Sequence, residues 1–292
     1  MTKQKIRKAV FPAAGMGTRF LPATKSMPKE MLPLVDKPLI QYGVEEAIAA
    51  GCTEIIIVTG RGKNTIEDHF DRSPELEASL EARGKTALLE IARSVSSLAH
   101  ITYTRQSEAL GLGHAVLQTK QLIGNEPFAV ILPDDLVDAK TPCLKQMVEA
   151  FEETGASILG SEIIEGPSIS SYGVLKCSPS SWDARLLAID DMVEKPKFED
   201  APSKNAIIGR YILTPRIFEL IEKVTPGAGG ELQLTDAIRA LLKYEKVYGF
   251  TFEGKRHDAG DKLGFLKATV EFALKRDDLG PQFREWLKEF PL

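Results

Sequence analysis

Residues 10–33 read VFPAAGMGTRFLPATKSMPKEMLP, and this stretch joins an apolar segment to a glycine turn and two cationic side chains. The apolar segment is short and uncapped, which predicts a buried parallel strand. We expect Gly15 and Gly17 to allow positive φ angles, so that backbone amides can converge on an anion. Arg19 adds a forked donor with a permanent charge, and Lys29 adds a flexible point charge. Together these features predict a loop that binds the phosphates of a nucleoside triphosphate.

Two common glycine loops do not fit this stretch. A dinucleotide-binding fingerprint needs a third glycine where Phe20 stands, and Pro22 and Pro28 interrupt the helix that should follow. A Walker loop needs a Gly-Lys-Ser/Thr, which residues 60–64, GRGKN, do not provide either. A glycine pair alone would indicate an ordinary tight turn, and the two cations argue for more than that.

The composition excludes several other classes of protein. The 292 residues are 43% hydrophobic, as expected of a globular chain with a sizeable core. The 37 Lys and Arg against 41 Asp and Glu give a net charge of -4, which offers no general attraction for a nucleic acid. No apolar run approaches the ~20 residues that span a membrane, and residues 1–8 lack the apolar core of a signal peptide. We therefore expect a cytoplasmic protein without nucleic-acid or membrane partners.

Strand-like and helix-like segments alternate along the first half of the chain. The predicted strands include 54–59, 100–104, 128–132 and 156–163, and the predicted helices include 39–50, 74–93, 113–123 and 142–153. This alternation predicts an α/β fold with a largely parallel sheet, whose ligands gather at the carboxyl ends of the strands. After Tyr172 the strand candidates become shorter, which predicts a second lobe of mixed sheet.

The motifs AAGMGTR at 13–19 and LPATKSMPKEMLP at 21–33 resemble the signature of the sugar-phosphate nucleotidyltransferases. They are most similar to the bacterial branch that joins UTP to glucose 1-phosphate, because the thymidylyltransferase branch usually opens with two glycines in place of Ala13-Ala14. The resemblance extends over nearly the full chain. It implies a Rossmann-like nucleotidyltransferase fold, with a mostly parallel mixed central β-sheet flanked by helices and a smaller mixed-sheet lobe that binds the sugar.

Two acidic positions are candidates for a cation site. Residues 128–138, FAVILPDDLVD, place Asp134 and Asp135 directly after an apolar strand, where carboxylates facing a phosphate loop would suit Mg²⁺. On the residues alone, such acids are as often loop residues or helix caps. The resemblance maps Asp134 onto the family's metal-binding aspartate and leaves Asp135 as a neighbour that orients the ligand or a water on the metal. It also maps Asp258, in the segment HDAGDKLGF, onto a second metal ligand, because Asp261 suits the N-cap of the next helix better by position.

A candidate base-binding loop follows the third predicted strand. Residues 106–116, QSEALGLGHAV, place the Gln106 amide before a glycine turn, where Gly111 would let a flat base approach the backbone. The residues alone fit a turn at a helix N-terminus equally well. By resemblance the loop recognises uracil. The residues that the resemblance assigns to the nucleotide are Ala13, Ala14, Gly15, Gly17, Gln106, Gly111 and Asp135.

A Glu-Lys pair marks the candidate sugar-phosphate site. Residues 192–198, MVEKPKF, place Glu194 and Lys195 at the end of a strand that a proline terminates. An exposed Glu-Lys pair usually belongs to a solvated surface. In the family that the chain resembles, Glu194 would accept hydrogen bonds from glucose hydroxyls, and Lys195 would hold the sugar phosphate. Gly173 and Gly209 would line the same pocket and leave room for a pyranose.

The resemblance implies transfer of a nucleotidyl group. UTP and glucose 1-phosphate would give UDP-glucose and pyrophosphate, with Mg²⁺ as the cofactor and Arg19, Lys29 and Lys195 as the catalytic cations. Three alternatives stay open: another nucleotide or sugar-phosphate specificity such as that of a thymidylyltransferase, a non-catalytic UDP-sugar sensor on the same fold, and a Rossmann oxidoreductase. The missing third glycine weakens the last of these.

The same resemblance suggests how the chain is organised. We expect one domain, 1–292, with a nucleotide-binding half at about 1–165, a sugar-phosphate-binding half at about 166–260 and C-terminal helices at about 261–292. Residues 282–290 carry aromatic and aliphatic side chains at helical spacing, which more often indicates a core or subunit contact than a ligand site. With the habit of the family, this predicts a homo-oligomer, a dimer or a tetramer.

Overall fold

A nine-stranded sheet lies at the centre of the computed structural model, which describes residues 4–227 and 230–291. Its strands, in spatial order, are β5 (His100–Arg105), β4 (Glu54–Thr59), β1 (Lys8–Pro12), β6 (Phe128–Ile131), β11 (Asn205–Leu213), β8 (Ser157–Ile163), β12 (Val247–Thr251), β10 (Leu186–Glu194) and β9 (Gly173–Pro179). The remaining strands form two ribbons, β2 (Pro33–Leu34) with β3 (Lys37–Pro38) and β7 (Asp135–Asp138) with β13 (Lys255–Asp258).

Helices flank the central sheet. Within the described residues they are α1 (Leu39–Ala49), α2 (Asn64–Phe70), α3 (Pro74–Ala82), α4 (Thr86–Ser96), α5 (Leu112–Leu117), α6 (Lys120–Ile123), α7 (Cys143–Thr154), α8 (Arg216–Ile221), α9 (Leu234–Leu241), α10 (Lys262–Lys275) and α11 (Gly280–Glu289). None of these helices is both long enough and apolar enough to cross a membrane.

The direction of the strands confirms the prediction of a mostly parallel mixed sheet. Strands β5, β4, β1 and β6 pair in parallel, and so do β8 and β12. Since β6 and β8 are both antiparallel to β11, they share one direction. Only β10 and β11 among the described strands of the central sheet run against the others, because β9 is antiparallel to β10.

The strands of the second half extend the central sheet, and the prediction that they are shorter is wrong, since β9 has 7 residues and β10 and β11 have 9 each. Strand β11 lies between β6 and β8, and all but the first of its residues are buried. A strand this apolar has to be covered on both faces, which explains its central position. Strands β10 and β9 then continue the sheet to its far edge, so the nucleotide and sugar segments share one sheet.

Apolar side chains fill a layer on each face of the sheet. Along β1, Phe11 enters the layer that contains α1 and α7, and its neighbour Val10 enters the layer that contains α8 and α9. Neighbouring side chains of a strand point to opposite faces, so a strand buried on both faces is apolar throughout. The first apolar segment is therefore the buried parallel strand that the sequence predicts.

Two of the predicted helices are each divided in the structure. The segment 74–93 forms α3 and α4, and Gly84 between them has a φ of 64°. A glycine in this left-handed conformation commonly ends a helix. The segment 113–123 likewise forms α5 and α6.

Candidate active site

Predicted site residues from both halves of the chain line one cavity of about 600 Å³. Those that line it are Arg19, Asp134, Asp135, Gly173, Glu194, Lys195, Gly209 and Asp258. The predicted residues outside its lining are Ala13, Ala14, Gly15, Gly17, Lys29, Gln106 and Gly111, and of these Lys29 contacts the cavity through Asp134. A larger groove of about 710 Å³, at the β9–β10 turn, contains none of the predicted residues.

The predicted phosphate loop needs a glycine at Gly17 but not at Gly15. Gly17 has a φ of 65°, and a Cβ there would lie 3.2 Å from the Cβ of Lys29 and 3.3 Å from the Cβ of Thr24. The Thr24 hydroxyl also donates a hydrogen bond of 2.7 Å to the Gly17 carbonyl. For Gly15 the predicted positive φ is wrong, and a Cβ there would meet no described atom within 4 Å. Gly17 alone therefore fixes the turn.

Lys29 and Asp134 form an ion pair at the edge of the cavity. The Lys29 Nζ lies 2.5 Å from Asp134 Oδ2. Burial disfavours both charges, but attraction to Asp134 and Glu30 raises the pKa of Lys29, and Lys29 in turn lowers the pKa of Asp134. Both side chains are consequently charged at neutral pH, which suits the lysine to a phosphate and the aspartate to a cation.

The carboxylates of Asp134 and Asp258 converge at Gly260. A Cβ on Gly260 would lie 3.0 Å from Asp134 Oδ2 and 3.0 Å from Asp258 Oδ1. The Arg19 Nη1 donates a hydrogen bond of 3.3 Å to the Gly260 carbonyl. The β7–β13 ribbon, which the sequence does not predict, creates this arrangement because it pairs Asp135 with Asp258. Asp261 caps α10 through the amides of the second and third residues after it, as its position predicts, and the metal role of Asp258 stays a prediction.

The pair of carboxylates suits Mg²⁺ better than a metal that needs a complete protein cage. No cluster of three or more His, Cys, Asp or Glu side chains suited to a metal occurs in 4–227 and 230–291. Mg²⁺ is commonly held by one or two carboxylates together with phosphate oxygens of the substrate. Asp134 and Asp258 offer such a donor set next to the phosphate loop.

Asp135 is buried and fully engaged with protein groups. Its carboxylate accepts hydrogen bonds of 2.7 and 3.1 Å from the Arg256 guanidinium and one of 2.7 Å from the Gly209 amide. Its assigned contact with the nucleotide stays a prediction. Arg256 did not stand out in the sequence, because a run of basic residues such as Lys255-Arg256 is normally a solvated surface feature.

The sugar-phosphate segment is anchored by its neighbours. The Thr235 hydroxyl donates to Glu194 Oε2 at 2.7 Å, and the Lys195 Nζ lies 3.4 Å from Glu194 Oε1. Lys195 has a φ of 45°, which is uncommon for a residue other than glycine, and its amide donates to the Tyr172 carbonyl at 3.0 Å. A Cβ on Gly173 would lie 3.2 Å from Glu194 Oε2, so this glycine gives the carboxylate its space.

Gly209 lines the cavity, but packing within the protein is what requires a residue without a side chain at this position. A Cβ there would lie 2.7 Å from the Cβ of Leu132 and 2.9 Å from the Cβ of Asp135. These two atoms are attached directly to the backbone and cannot move aside easily. The glycine therefore permits the close approach of β11 to the segment that carries the aspartates.

The candidate base-binding loop is held by two contacts. The Gln106 Nε2 donates to the Gly111 carbonyl at 3.1 Å and lies 3.0 Å from His114 Nδ1. Gly111 has a φ of 97°, and a Cβ there would lie 2.8 Å from the Cβ of Glu231. The loop is thus preformed, and glycine is required at Gly111 by both conformation and contact.

Comparison with known proteins shows the family of the chain. The family model for nucleotidyl transferases matches residues 8–274. The UTP--glucose-1-phosphate uridylyltransferase 2 of Staphylococcus saprophyticus is 52% identical over 289 residues, which cover 99% of each chain. The UTP--glucose-1-phosphate uridylyltransferase of Bacillus subtilis is 53% identical over 279 residues, which cover 96% of this chain and 95% of the relative.

Solved structures of similar chains have the same fold. The UTP-bound UGPase from Acinetobacter baumannii is 38% identical and superposes with a TM-score of 0.89. The alignment covers 98% of this chain and 100% of the other. A UDP-glucose pyrophosphorylase complexed with UDP-glucose is 46% identical, with a TM-score of 0.84 over 93% of this chain and 100% of the other. The chain therefore belongs to the nucleotidyl transferase family.

Proposed function

We propose that the protein transfers the uridylyl group of UTP to α-D-glucose 1-phosphate, with UDP-glucose and pyrophosphate as products. The observation that carries the proposal is one cavity in which Arg19, Asp134 and Asp258 face the Glu194–Lys195 pair. The first group suits a triphosphate and its cation, and the second suits a sugar phosphate. The uridylyltransferases that are similar over nearly the full length support this choice of substrates.

The chemistry needs no nucleophile from the protein. A phosphate oxygen of glucose 1-phosphate attacks the α-phosphorus of UTP, and the bond from that phosphorus to the oxygen that bridges to the β-phosphate breaks. Pyrophosphate leaves with the electron pair. Catalysis then consists of alignment and neutralisation of charge. Arg19 and Lys29 bind the triphosphate, Lys195 brings in the sugar phosphate, and Glu194 accepts hydrogen bonds from the glucose hydroxyls.

Asp134 and Asp258 would hold Mg²⁺, which, when bound, supplies positive charge to the phosphates of UTP. The lowered pKa of Asp134 keeps this carboxylate ionised, as a ligand for a hard cation must be. The Gln106 amide, the Gly111 backbone and the residues from Ala13 to Gly15 would recognise uracil. Gly17 and Asp135 would complete the nucleotide site, and Gly173 and Gly209 the sugar site.

The organisation of the protein completes the proposal. We propose the nucleotide-binding half at about 1–165, the sugar-phosphate half at about 166–260 and the C-terminal helices at about 261–292. An exposed aromatic face on α11 supports assembly into a dimer or a tetramer. A cytoplasmic location fits a protein whose substrate UTP is a cytoplasmic metabolite.

Competition between nucleotides tests the proposed substrates. The purified protein is given equal UTP and dTTP with glucose 1-phosphate and Mg²⁺, and the sugar nucleotides are identified by mass spectrometry. We expect UDP-glucose as the main product. A main product of dTDP-glucose would move the protein to the thymidylyltransferase branch, and tight binding of UDP-glucose without any product would make it a sensor.

A further inference from the structure

Tyr172 contacts two residues that have different roles in the proposed function, since Asp258 would bind the cation and Lys195 the sugar phosphate. Its hydroxyl donates a hydrogen bond of 2.7 Å to Asp258 Oδ2, and its backbone carbonyl accepts one of 3.0 Å from the Lys195 amide. Asp258 lies at the end of β13 and Lys195 directly after β10. One residue thus joins the proposed metal site to the proposed sugar-phosphate site.

The contact of Tyr172 orients the carboxylate of Asp258. The hydroxyl engages Oδ2, whereas Oδ1 accepts from the Gly260 amide at 3.0 Å and faces Asp134 across Gly260. Fixing Oδ2 leaves Oδ1 turned toward the second carboxylate, as two ligands of one cation require. Without the hydroxyl, Oδ2 keeps a longer contact of 3.4 Å with Arg256 Nη2.

Arg256 in turn holds the tyrosine. Its guanidinium carbon lies 4.9 Å from the centre of the Tyr172 ring, and its Nη1 lies 3.4 Å from the Tyr172 hydroxyl. The same guanidinium is bound to the carboxylate of Asp135, which is fixed in turn by the Gly209 amide. The ring therefore stays in place when only the hydroxyl is removed.

We propose that Tyr172 is a positioning residue with two roles. Its hydroxyl aims the Asp258 carboxylate at the cation, and its carbonyl fixes the backbone of Lys195. This inference rests on the proposed function, which makes Asp258 a metal ligand and Lys195 a phosphate ligand. The groups that hold a metal-binding carboxylate typically affect metal affinity or activity by about 10–100-fold.

Removal of the Tyr172 hydroxyl separates its contact with Asp258 from its contact with Lys195. The variant Tyr172→Phe keeps the backbone carbonyl that binds Lys195 and the ring that packs under Arg256. Mg²⁺ binding is measured by calorimetry with the protein saturated in UDP-glucose, which cannot react without pyrophosphate. We expect the variant to bind Mg²⁺ about 10-fold more weakly. Its KM for glucose 1-phosphate should change little, because the backbone carbonyl that accepts the hydrogen bond from the Lys195 amide is retained.

Tyr103→Phe is the matched control. The Tyr103 hydroxyl is buried and has no hydrogen-bond partner among the described residues, and the side chain lies on β5, outside the cavity. This variant should bind Mg²⁺ as the unaltered protein does.

Unchanged Mg²⁺ affinity in Tyr172→Phe would overturn the inference and leave the proposed function standing. A parallel loss of thermal stability and of UDP-glucose affinity would overturn it too, because the role would then be structural. If the unaltered protein binds no Mg²⁺, the proposed metal site fails, and the inference with it.

Discussion

Lys29 and Asp134 each keep the other in the charge state that the proposed reaction requires. Their side chains retain 26% and 17% of their exposure, so water and substrate reach the pair from the cavity. In the proposed reaction, a phosphate would replace the carboxylate as the partner of Lys29, and a cation would replace the ammonium as the partner of Asp134. We propose that the ion pair is the resting arrangement of these two binding groups.

The cationic side chains should dominate turnover. In Lys29→Ala and Lys195→Ala, the loss of a preorganised charged donor should lower kcat/KM by ~10²-fold or more. The fold should survive, because both lysines border the open cavity. Steady-state assays with circular dichroism measure the two effects. Lys197→Ala is the matched control, since this exposed lysine lies two residues after Lys195. Wild-type kcat/KM in both site variants would refute the assignment.

Asp134→Asn should act on the metal requirement. The amide removes the negative charge that attracts the cation, so the Mg²⁺ concentration for half-maximal activity should rise by at least ~10-fold. A titration of pyrophosphate release against Mg²⁺ measures this value. Asp200→Asn, which changes an exposed aspartate in the same way, should leave the value unchanged. If Asp134→Asn has the metal requirement of the unaltered protein, Asp134 is not a ligand.

Residue types with distinctive chemistry could be predicted from the sequence, and supporting residues could not. The glycine turn, the adjacent aspartates and the Glu-Lys-Pro unit stand out as short motifs. The roles of Tyr172, Thr235 and Arg256 arise where segments distant in sequence pack together, as in the pairing of Arg256 with Asp135 across 121 positions. No local pattern reveals such a partner.

At the scale of elements, one buried carboxylate holds α3 and α4 together. Glu77 on α3 accepts hydrogen bonds from Arg72 at 2.5 Å and from Arg93 on α4 at 3.0 Å. These bonds lower the pKa of Glu77 to about 2 from an ordinary 4.5. A carboxyl group whose pKa is lower in the folded than in the unfolded protein stabilises the fold at pH values above its unfolded pKa. This stabilisation is lost as the pH falls toward the pKa of the folded state.

Glu77→Gln should therefore have a pH-dependent effect on stability. We expect its deficit in Tm relative to the unaltered protein to be complete above about pH 5 and to shrink strongly by about pH 3. Thermal unfolding monitored at several pH values measures the deficit. Glu75→Gln, at an exposed position of the same helix, should show no such trend. A deficit that stays constant with pH would rule out this role for the ion pairs.

Elements were predicted best where the pattern is strongest. The apolar run of β4 has the predicted bounds, 54–59. The break at Gly84 was missed because a single glycine is tolerated inside many helices. The β7–β13 ribbon was missed because each of its strands has four residues and pairs with a distant one.

At the scale of the whole molecule, the central sheet explains why one cavity can serve two anionic substrates. Strand β11 lies beside β6, so the glycine that borders the sugar segment packs against the segment that carries the aspartates. The strand order could not be predicted, because the apolar character of β11 indicates burial but not its neighbours.

The C-terminal face should control assembly. Trp286 is 51% exposed and Phe290 47% exposed, and their rings lie 5.0 Å apart at the C-terminal end of α11. An exposed aromatic cluster of this kind is typical of a protein contact. Trp286→Ala with Phe290→Ala should shift the mass measured by light scattering toward that of the monomer. Trp182→Ala, which changes an equally exposed tryptophan at the β9–β10 turn, should not. An unaltered mass in the double variant would exclude α11 as the interface.

Pyrophosphate release tests the central claim most directly. The protein is incubated with Mg²⁺ and UTP, with and without glucose 1-phosphate, and free pyrophosphate is followed continuously. Because the sugar phosphate itself is the nucleophile, release should require both substrates and should match the UDP-glucose formed mole for mole. Release from UTP alone, or none with both substrates present, would contradict direct transfer between them.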